Sequence, residues 1–478
     1  MRLTELIPTY KGTLDPDIKG ITQDSRRVEE GWLFAALPGD KVNGYDYIED
    51  ALYLGAVAVL VPTGVTIENS AIAVIEDDNP RRMLAQIAAS FYGLQPEKIV
   101  AVTGTNGKTS TVYFTQQLWN AMGYKAASLG TLGVRSSKME RSGSLTTPDP
   151  VSLHAVLSDL AASGITHLAM EASSHGLHQN RLDGVRVCAA GFTNLSHDHL
   201  DYHKDMTSYL NAKKHLFEAV LQDNGTAVLN ADSAEFDMLS EAVLKRKCRV
   251  LSYGWKGRDI VLKSLQPTPQ GQQIEIEVGG QLYNLNIPLV GAFQVMNALC
   301  ALGLVISDGK ASLKEAVKYL EKLTGAPGRL EKISGGHTGA VYIDYAHTPD
   351  ALENILQALR PHTQGRLICL IGCGGDRDPH KRPVMGKIAA DLSDLAVITD
   401  DNSRSEAPEK IRAAMMEGAG SAAIEIAGRR EAIQWAVGQL QEGDVLVLAG
   451  KGHEQGQIIG DRILPFDDAG EGRKAMGL

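Results

Sequence analysis

The sequence has few cysteines, no long apolar run and no block of basic residues. Its five cysteines are an odd, scattered set without paired CxxC spacing, so neither a disulfide framework nor a zinc site is indicated. We expect reduced, mostly buried thiols. No apolar stretch approaches the ~20 residues that cross a bilayer, and the first residues lack the charged-then-apolar order of a signal peptide. We therefore expect a cytoplasmic protein without membrane insertion.

The overall charge and length narrow the class of protein further. The formal net charge is -10, which disfavours nonspecific binding to nucleic acid, so we expect no nucleic-acid partner. Apolar residues make up 44% of the chain and charged residues 22%, as in ordinary globular proteins. At ~100 to 200 residues per domain, the 478 residues predict about three domains. These features favour a multidomain enzyme.

Two clusters of helix- and strand-breaking residues divide the chain into three predicted domains, all of the α/β class. A Gln-Pro-Glu-Lys stretch at 95–98 ends a small N-terminal α/β domain, 1–97. The central domain, 98–326, is predicted to have a P-loop-type, mostly parallel sheet. The cluster at 325–329, Gly-Ala-Pro-Gly-Arg, precedes a Rossmann-like C-terminal α/β domain, 327–478.

Apolar runs that alternate with helical stretches predict the strands of the central and C-terminal sheets. These runs are 99–102, 167–170, 187–190, 227–229, 341–344, 367–371, 396–399 and 445–448. Such alternation predicts parallel sheets covered by helices on both faces. Ligands are then expected at the carboxyl ends of the strands.

The segment 103–110, TGTNGKTS, follows an apolar run and predicts a phosphate-binding turn between a strand and a helix. Gly104 and Gly107 allow positive φ and close approach of a ligand to the backbone, and Lys108 adds a mobile cation. Thr109 offers a hydroxyl to a magnesium ion. The pattern departs from the common eight-residue P-loop because Val102 stands where its first glycine would be. The sequence nevertheless favours nucleotide binding over an ordinary glycine-rich turn.

Two further segments have the composition of a metal site. Glu171 lies at the end of a predicted buried strand, although taken alone it could be a surface carboxylate. The segment 194–203, NLSHDHLDYH, packs three imidazoles and two carboxylates into ten residues. Zinc is one interpretation, but no cysteine takes part and the spacing is not that of a zinc motif. Magnesium held together with nucleotide phosphates fits better. Close by, 209–217 predicts an amphipathic helix whose adjacent Lys213 and Lys214 would ordinarily be solvated.

Taken together, these motifs resemble the Mur ligase family of peptidoglycan enzymes. The resemblance runs through TGTNGKTS, MEASSH, NLSHDHLDYH with the following YxxxK, GAFQVMNAL, APGRLE, DYAHTPDAL and GCGGDRD, in order along essentially the whole chain. Within the family, Asp24-Ser25-Arg26, Thr146-Thr147-Pro148 and the segment 450–454, GKGHE, are typical of the members that add the third amino acid of the stem peptide. Folylpolyglutamate synthetases, which share the ATP-binding core, are the alternative.

The resemblance implies an ATP-dependent amide ligase. It would add meso-diaminopimelate to the D-glutamate γ-carboxylate of UDP-N-acetylmuramoyl-L-alanyl-D-glutamate through an acyl phosphate, with ATP as a substrate, two Mg²⁺ ions and a monomeric chain. The N-terminal domain would bind the UDP substrate, the central domain ATP, and the C-terminal domain the amino acid. Transfer of lysine or another diamino acid stays open, as does a binding or scaffold protein that has lost ligation.

The resemblance also assigns the residues for metal and ATP. Thr109 and Glu171 would hold one magnesium, and His199 with a carbamylated Lys213 the second; Lys108 would act in catalysis. The ATP-binding set is Gly104, Thr105, Asn106, Gly107, Lys108, Thr109, Ser110, Asn297, Arg329 and Asp344. Gln294 stands where the family usually has Asn, which puts a direct contact with adenine in doubt. Asp344 could instead cap the helix that begins near Pro349.

The resemblance also assigns two sets of residues to the UDP-linked peptide and to the amino acid. The UDP-substrate set is Ser25, Arg26, Thr146, Thr147, Ser173, Gln179 and Arg181. The amino-acid set is Arg377, Asp401, Asn402, Arg404, Gly450 and Glu454. Members that add diaminopimelate typically read Asp-Asn-Pro-Arg where this chain has Asp401-Asn402-Ser403-Arg404. Arg404 could pair with the distal carboxylate that lysine lacks, so we favour diaminopimelate although Ser403 replaces the stiffening proline.

Overall fold

The computed structural model describes residues 1–39, 42–67, 71–143, 145–333 and 339–478. The chain divides into two compact units. The first unit comprises Met1–Tyr253 and Gly303–Ala311, and the second comprises Gly254–Leu302 and Ser312–Leu478. The two domain boundaries expected from sequence stay predictions. Within the described ranges, no helix is long and apolar enough to cross a membrane.

The first unit begins with a small parallel sheet. Its elements are α1 (Leu3–Leu6), β1 (Gly20–Thr22), β2 (Trp32–Ala35), α2 (Ile48–Tyr53), β3 (Ala58–Pro62), β4 (Ala73–Asp77) and α3 (Pro80–Tyr92). The strands lie in the order β1-β2-β3-β4 and all pair in parallel. Helix α3 begins where the Asn79 side chain accepts from Arg82 N, with Pro80 at the first position. Its buried Leu84 and Ile87 belong to the core of this sheet.

A larger sheet forms the rest of the first unit. Its elements are β5 (Lys98–Thr103), α4 (Lys108–Ala121), β6 (Ala126–Gly130), β7 (Gly133–Ser136), β8 (Glu140–Arg141), α5 (Pro150–Ala162), β9 (His167–Glu171), α6 (Ser174–His178), β10 (Val187–Phe192), α7 (Met206–His215), β11 (Leu221–Asn230), α8 (Phe236–Lys245) and β12 (Arg249–Gly254). The strand order is β12-β11-β10-β5-β9-β6-β7-β8, with parallel pairing from β12 to β6. This confirms the predicted, mostly parallel sheet.

The strand order decides which loops meet. Strand β5 lies between β9 and β10, so the chain crosses to opposite sides of β5, and such a reversal opens a crevice at the carboxyl ends of the strands. Thr103, Glu171 and Phe192 end these three neighbouring strands. The loops that follow them, which carry the motifs singled out in the sequence, are therefore brought together.

The second unit combines an antiparallel meander with a second parallel sheet. Its first elements are β13 (Ile260–Thr268), β14 (Gly271–Val278), β15 (Gln281–Ile287), α9 (Ala292–Ile306) and α10 (Leu313–Tyr319). The remaining elements are β16 (Arg329–Ile333), β17 (Ala340–Asp344), α11 (Pro349–Leu359), β18 (Leu367–Ile371), α12 (Lys381–Leu392), β19 (Leu395–Ile398), α13 (Pro408–Ala419), β20 (Ala423–Glu425), α14 (Arg429–Gly438), β21 (Val445–Ala449), β22 (Gly456–Ile459), β23 (Arg462–Pro465) and α15 (Asp468–Ala475). The sheet order is β16-β17-β21-β18-β19-β20, parallel except for β16.

Strand β18 shows how this second sheet is buried on both faces. Leu367, Cys369 and Ile371 belong to one apolar cluster, which includes residues of α11, α12 and α13. Ile368 and Leu370 belong to another, which includes residues of α14 and α15. Alternate side chains of a strand point to opposite faces, so helices cover both. The Rossmann-like architecture predicted from the continuous apolar runs is confirmed.

Candidate active site

The segment 103–110 forms a tight turn between β5 and α4, as predicted. Gly107 has φ +87° and directly precedes the first residue of α4. A Cβ atom at Gly104 would overlap the Thr193 hydroxyl, so only glycine fits there without rearrangement. The Lys108 ammonium donates to the Gly104 and Thr105 carbonyl oxygens at 2.9 and 2.8 Å. A cation and a helix N-terminus therefore lie at the carboxyl end of β5, an arrangement suited to phosphate.

The segment after β10 holds this turn in shape, a role that our sequence analysis did not assign to it. Asn194 O accepts from Thr105 N at 2.9 Å, and Asn194 Oδ1 accepts from Asn106 N at 3.0 Å. The Thr193 hydroxyl donates to Asn106 O at 2.6 Å. Asn194 is the first residue of the segment NLSHDHLDYH, which the sequence did single out. The composition of that segment predicted a metal site, whereas Asn194 contacts the phosphate turn.

Glu171 lies beside the phosphate turn with its carboxylate buried. It is 2% exposed, so the alternative of a surface carboxylate is wrong. Glu171 Oε1 accepts from the Thr109 hydroxyl at 3.0 Å and from Thr131 N at 2.8 Å. Thr131, which sequence analysis missed, also donates through its hydroxyl to Oε2 at 3.3 Å. A hydroxyl and a carboxylate in contact are hard oxygen donors of the kind that Mg²⁺ prefers.

Lys213 is buried under the phosphate turn, contrary to the expectation that both adjacent lysines are solvated. Its side chain is 1% exposed, and Nζ donates to Gly104 O at 2.8 Å. Nζ also lies 4.1 Å from the centre of the Tyr209 ring. Burial, and then the charge of Lys108, hold the pKa of Lys213 well below its ordinary value. Lys214 instead pairs with Glu218 at 2.8 Å.

A cluster of aromatic rings adjoins Lys213. His199 packs edge-on against His175 with 5.0 Å between ring centres and against Tyr209 with 6.1 Å. His203 lies 5.1 Å from Tyr209, and burial, followed by the neighbouring histidines, lowers its pKa to about 4. Within the described ranges, no three His, Cys, Asp or Glu side chains are arranged to hold a metal ion. A cation bound there would need further oxygen ligands.

Three of the seven residues predicted for the UDP substrate, Thr146, Thr147 and Ser173, lie near Glu171. The Thr147 hydroxyl donates to Glu171 O at 2.9 Å and accepts from Ser173 N at 3.0 Å. The Thr146 hydroxyl lies 3.1 Å from that of Thr131. Ser173 caps α6, since its hydroxyl accepts from Gly176 N at 3.1 Å. Hydroxyl groups therefore lie in a row from the Glu171 carboxylate, whose oxygens could bind a metal ion, to the start of α6.

Gln179 and Arg181 lead from these hydroxyls to the N-terminal sheet. Arg181 donates to Gln179 Oε1 through Nε and Nη2 at 3.1 and 2.7 Å, and to Thr147 O at 2.6 Å. Gln179 and Arg181 line a small pocket, and a second pocket of about 290 Å³ shares the lining residues Gln23 and Asp149 with it. Ser25 and Arg26 line neither pocket, and Arg26 pairs with Asp24 at 2.8 Å.

In the second unit, the residues predicted for ATP form one cluster. Gln294 Nε2 donates to Arg329 O at 3.1 Å, and Asn297 Nδ2 donates to Gln294 Oε1 at 3.2 Å. The Gln294 amide is thus engaged by the protein itself. Asp344 accepts from Leu330 N and Ala346 N, both at 2.8 Å, and Thr348 caps α11, so the capping alternative for Asp344 is wrong. Burial raises the pKa of Asp344, against the effect of Arg329.

The structure brings Asp401, Asn402, Arg404, Gly450 and Glu454 together at the carboxyl ends of β19 and β21. Arg404 Nη1 donates to Gly375 O at 2.7 Å, and Asn402 Nδ2 donates to Glu454 Oε2 at 2.9 Å. Gly450 has φ +111°, and a Cβ there would lie 3.1 Å from Asp401 Oδ2. Arg377 is exposed and donates to the neighbouring Asp376 O at 3.1 Å.

Strand β22 supports the backbone of this cluster. Arg404 N donates to Ile458 O at 3.1 Å, and Gly460 N donates to Arg404 O at 2.8 Å. Ile458 N donates to Asn402 Oδ1 at 2.9 Å. These bonds fix the segment around Ser403, where the family's usual proline is missing, and hold Arg404 at its positive φ of +51°. The hairpin of β22 and β23 was not anticipated from the sequence.

Lys451 is a further residue of this cluster that sequence analysis quoted within a motif without assigning a role. Its side chain is 0% exposed, and Nζ donates to Asn402 Oδ1 at 3.0 Å and to Glu454 Oε2 at 3.3 Å. Asp401 Oδ1 lies 3.9 Å from the same Nζ. The sequence feature that could have indicated a role for Lys451 is its position between two glycines directly after an apolar strand.

A glycine turn with lysine and threonine on a parallel sheet, followed by a Rossmann-like sheet, defines a nucleotide-binding α/β protein of the P-loop type. Family models match residues 17–92 ("Mur ligase family, catalytic domain"), 102–305 ("Mur ligase middle domain") and 328–452 ("Mur ligase, glutamate ligase domain"). The chain belongs to the Mur ligase family.

Comparisons over the full length agree with this membership. A protein of Caulobacter vibrioides named UDP-N-acetylmuramoyl-L-alanyl-D-glutamate--2,6-diaminopimelate ligase is 50% identical over 99% of this chain and 98% of its own. A solved structure of an enzyme of that name matches with a TM-score of 0.76 and 34% identity, covering 100% of this chain and 99% of the other. A folylpolyglutamate synthase of Mycobacterium tuberculosis matches with a TM-score of 0.62 at 19% identity, over 83% and 95%, which shows a shared fold alone.

Proposed function

We propose that this protein is an ATP-dependent ligase that joins meso-diaminopimelate to the D-glutamate γ-carboxylate of UDP-N-acetylmuramoyl-L-alanyl-D-glutamate. The observation that carries the proposal is the 50% identity, over nearly the full length of both chains, to a protein named for this reaction. The product is a precursor of peptidoglycan. We place the reaction in the cytoplasm, where ATP is available, and expect the chain to act as a monomer.

The residues assigned to ATP form two groups, each described within its own unit. In the first unit, the turn from Gly104 to Ser110 offers backbone amides and the start of α4 to the phosphates, and Lys108, which donates to two carbonyl oxygens of the turn, would contact them. In the second unit, Asn297 and Asp344 would contact adenine and ribose, and Arg329 a phosphate. Gln294 supports this set indirectly, since its amide is bonded to Arg329 O and to Asn297.

The donor set fits two magnesium ions if Lys213 is carbamylated. Thr109 and Glu171, in contact at 3.0 Å, supply hydroxyl and carboxylate oxygens for one. An ammonium at Lys213 would repel the second, whereas its lowered pKa favours the neutral amine, which reacts with carbon dioxide to give an anionic carbamate. Both Lys213 and His199, the other residue assigned to this ion, pack against the Tyr209 ring. When bound, the ions would neutralise charge on the phosphates during transfer.

The chemistry would proceed in two steps. An oxygen of the γ-carboxylate attacks the γ-phosphorus of ATP, ADP departs, and an acyl phosphate forms. The amine of diaminopimelate then attacks the acyl carbon, phosphate leaves with the carboxylate oxygen, and the amine loses a proton as the amide forms. Lys108 would stabilise charge on the transferred group, and the hydroxyls of Thr146 and Thr147 with Arg181 would position the peptide substrate.

Arg404 is the residue expected to select diaminopimelate over lysine. One of its guanidinium nitrogens is bonded to Gly375 O, which orients the group and leaves other donors for a ligand carboxylate. Lysine lacks the distal carboxylate, so its binding would leave the Arg404 donors without that partner. Asp401 and Glu454 would take the distal ammonium, and Arg377 the proximal carboxylate.

The proposal is tested by supplying purified protein with ATP, Mg²⁺, the UDP-linked dipeptide and a mixture of diaminopimelate, lysine and ornithine. Mass spectrometry of the product is expected to show incorporation of diaminopimelate above the other two. Phosphate release is expected to need the dipeptide and the amino acid together, whereas a binding or scaffold protein would show no amino-acid requirement. A parallel assay with folate and glutamate should be inactive. Faster incorporation of lysine, or folate-dependent turnover, would contradict the proposal.

A further inference from the structure

We propose that Lys451 determines the specificity of the amino-acid pocket by setting its charge. With Lys451 charged, the pocket would prefer an amino acid whose distal end carries both an ammonium and a carboxylate over one whose distal end carries an ammonium alone. The inference rests on the proposed ligation of diaminopimelate and goes beyond it, because Lys451 belongs to none of the substrate-contacting sets described above. It would act through Asn402 and Glu454, with which it is in direct contact.

The contacts of Lys451 fix the orientation of an amide. Asn402 Oδ1 accepts from Lys451 Nζ at 3.0 Å and from Ile458 N at 2.9 Å. With its oxygen held by two donors, the Asn402 side chain must turn its NH₂ group the other way, and Nδ2 donates to Glu454 Oε2 at 2.9 Å. Glu454 is therefore held on one oxygen by Asn402 and by Lys451. Among the residues that the structure describes, the recorded contacts of the Glu454 carboxylate all involve Oε2, which leaves Oε1 available to a ligand ammonium.

Lys451 also balances the charges of the amino-acid pocket. Asp401 and Glu454 place two carboxylates next to Lys451, whose Nζ lies 3.9 and 3.3 Å from their nearest oxygens. Lys451 is completely buried, so its charge is poorly screened by solvent and acts strongly on its neighbours. With Lys451 present, the three groups carry one net negative charge, which matches one ligand ammonium. Without it they would carry two.

This balance distinguishes the two candidate amino acids. The distal end of diaminopimelate carries an ammonium and a carboxylate, whereas the distal end of lysine carries an ammonium alone. Removing the positive charge of Lys451 would favour both ammonium groups similarly and would repel only the carboxylate of diaminopimelate. The preference for diaminopimelate should then fall even with Arg404 in place. A purely structural lysine would lower the use of both amino acids together.

The test compares Lys451→Met and Lys451→Gln with the unmodified protein, measuring kcat/KM for diaminopimelate and for lysine separately. Lys451→Gln removes the charge but keeps a donor for Asn402, so it separates charge from hydrogen bonding and is the better choice if the methionine variant fails to fold. Lys474→Met is the matched control, because it removes an exposed lysine that pairs with Glu471 across the same three-residue spacing. Circular dichroism and the KM for ATP report on folding.

Both Lys451 variants should lower the ratio of kcat/KM for diaminopimelate to kcat/KM for lysine by about tenfold or more, because each removes one buried charge close to the ligand. The KM for ATP and the control ratio should not change. An unchanged ratio in folded Lys451→Gln would overturn the inference while leaving the proposed function intact. If the unmodified protein shows no turnover with diaminopimelate, the proposed function itself has failed.

Discussion

Lys108 and Lys213 donate to the same acceptor, the carbonyl oxygen of Gly104, at 2.9 and 2.8 Å. Two ammonium groups this close repel each other, and the charge of Lys108 is a cause of the low pKa of the buried Lys213. The phosphate turn thus brings together Lys108, which is proposed to contact phosphate, and Lys213, whose neutral form is favoured. Conversion of the second to a carbamate would replace repulsion with attraction.

The first prediction concerns the carbamate at Lys213. Protein equilibrated with ¹³C-labelled bicarbonate is expected to show a carbamate carbon resonance that disappears in Lys213→Met and persists in Lys214→Met, since Lys214 pairs with Glu218 at 2.8 Å. Lys213→Met should lose at least about 100-fold in kcat, because the second cation site loses its anionic ligand, and added bicarbonate should not restore it. Near-normal turnover in Lys213→Met would remove this assignment.

The second prediction concerns the glycine of the phosphate turn. In Gly104→Ala, the new Cβ would overlap the Thr193 hydroxyl, so we expect the turn to shift and ATP affinity to fall by at least about 100-fold. Calorimetric titration with an unhydrolysable ATP analogue measures this. Gly123→Ala is the control, because Gly123 also has a positive φ, +86°, but nothing lies within 4 Å of its added Cβ. It should lose ~1 kcal/mol of stability and no ATP affinity.

The third prediction concerns Arg404. Arg404→Met is expected to lower kcat/KM for diaminopimelate by about 100-fold and to change that for lysine by less than about threefold, because only diaminopimelate offers a distal carboxylate. Arg473→Met, which removes a surface arginine paired with Glu331 at 3.0 Å, is the control. Equal losses for the two amino acids would show that Arg404 does not recognise that carboxylate.

The fourth prediction concerns acid stability of the first unit. His154 is 0% exposed, and neither ring nitrogen has a hydrogen-bond partner among the residues that the structure describes. Burial lowers its pKa from 6.5 to about 4. The unfolded chain therefore binds the proton of His154 more readily than the folded chain does. The free energy of unfolding is highest above about pH 6.5, where His154 is neutral in both states, and falls by up to about 3 kcal/mol as the pH drops towards 4. His154→Leu should flatten this dependence in thermal unfolding between pH 7.5 and 5, whereas the exposed His380→Leu should not. An unchanged slope in His154→Leu would show that other groups dominate.

The fifth prediction concerns a buried ion pair beneath the amino-acid cluster. Arg429 and Asp468 are fully buried and joined by two bonds of 2.7 and 2.6 Å, and Arg429 also donates to Ala449 O at 2.9 Å. Arg429→Met should cost about 3 to 5 kcal/mol in denaturant unfolding because Asp468 is left unpaired. Adding Asp468→Leu should recover most of that loss.

A surface pair provides the comparison for this experiment. Lys387→Met removes an exposed pair with Asp391 and should cost less than about 1 kcal/mol. If the double variant at 429 and 468 were no more stable than Arg429→Met alone, the unpaired carboxylate would not be the cause of the loss.

The strands and the phosphate turn could be predicted because their signals are local. Apolar runs such as 367–371 correspond to β18 residue for residue, and glycine, lysine and threonine follow β5 in a fixed order. The identity of the family followed from motifs that occur together. These features depend on neighbours in the chain, so the sequence displays them directly.

The environment of individual side chains could not be predicted in the same way. Lys213 and Lys214 are adjacent and chemically identical, yet only Lys213 points under Gly104 and is buried there. Lys451 donates to Asn402 Oδ1, which also accepts from Ile458 N of β22, a short strand with no strong apolar pattern. Such differences arise from contacts between segments that are far apart in sequence, and a single sequence does not reveal them.

An acyl phosphate intermediate would link ATP cleavage to amide formation, and transfer of oxygen-18 from the carboxylate to phosphate is the direct test of it. The UDP-linked dipeptide is labelled with oxygen-18 in the D-glutamate γ-carboxylate and incubated with the protein, ATP, Mg²⁺ and diaminopimelate. The released phosphate is analysed by mass spectrometry. We predict one oxygen-18 atom in each phosphate for each amide formed. Unlabelled phosphate accompanying amide formation would contradict the account.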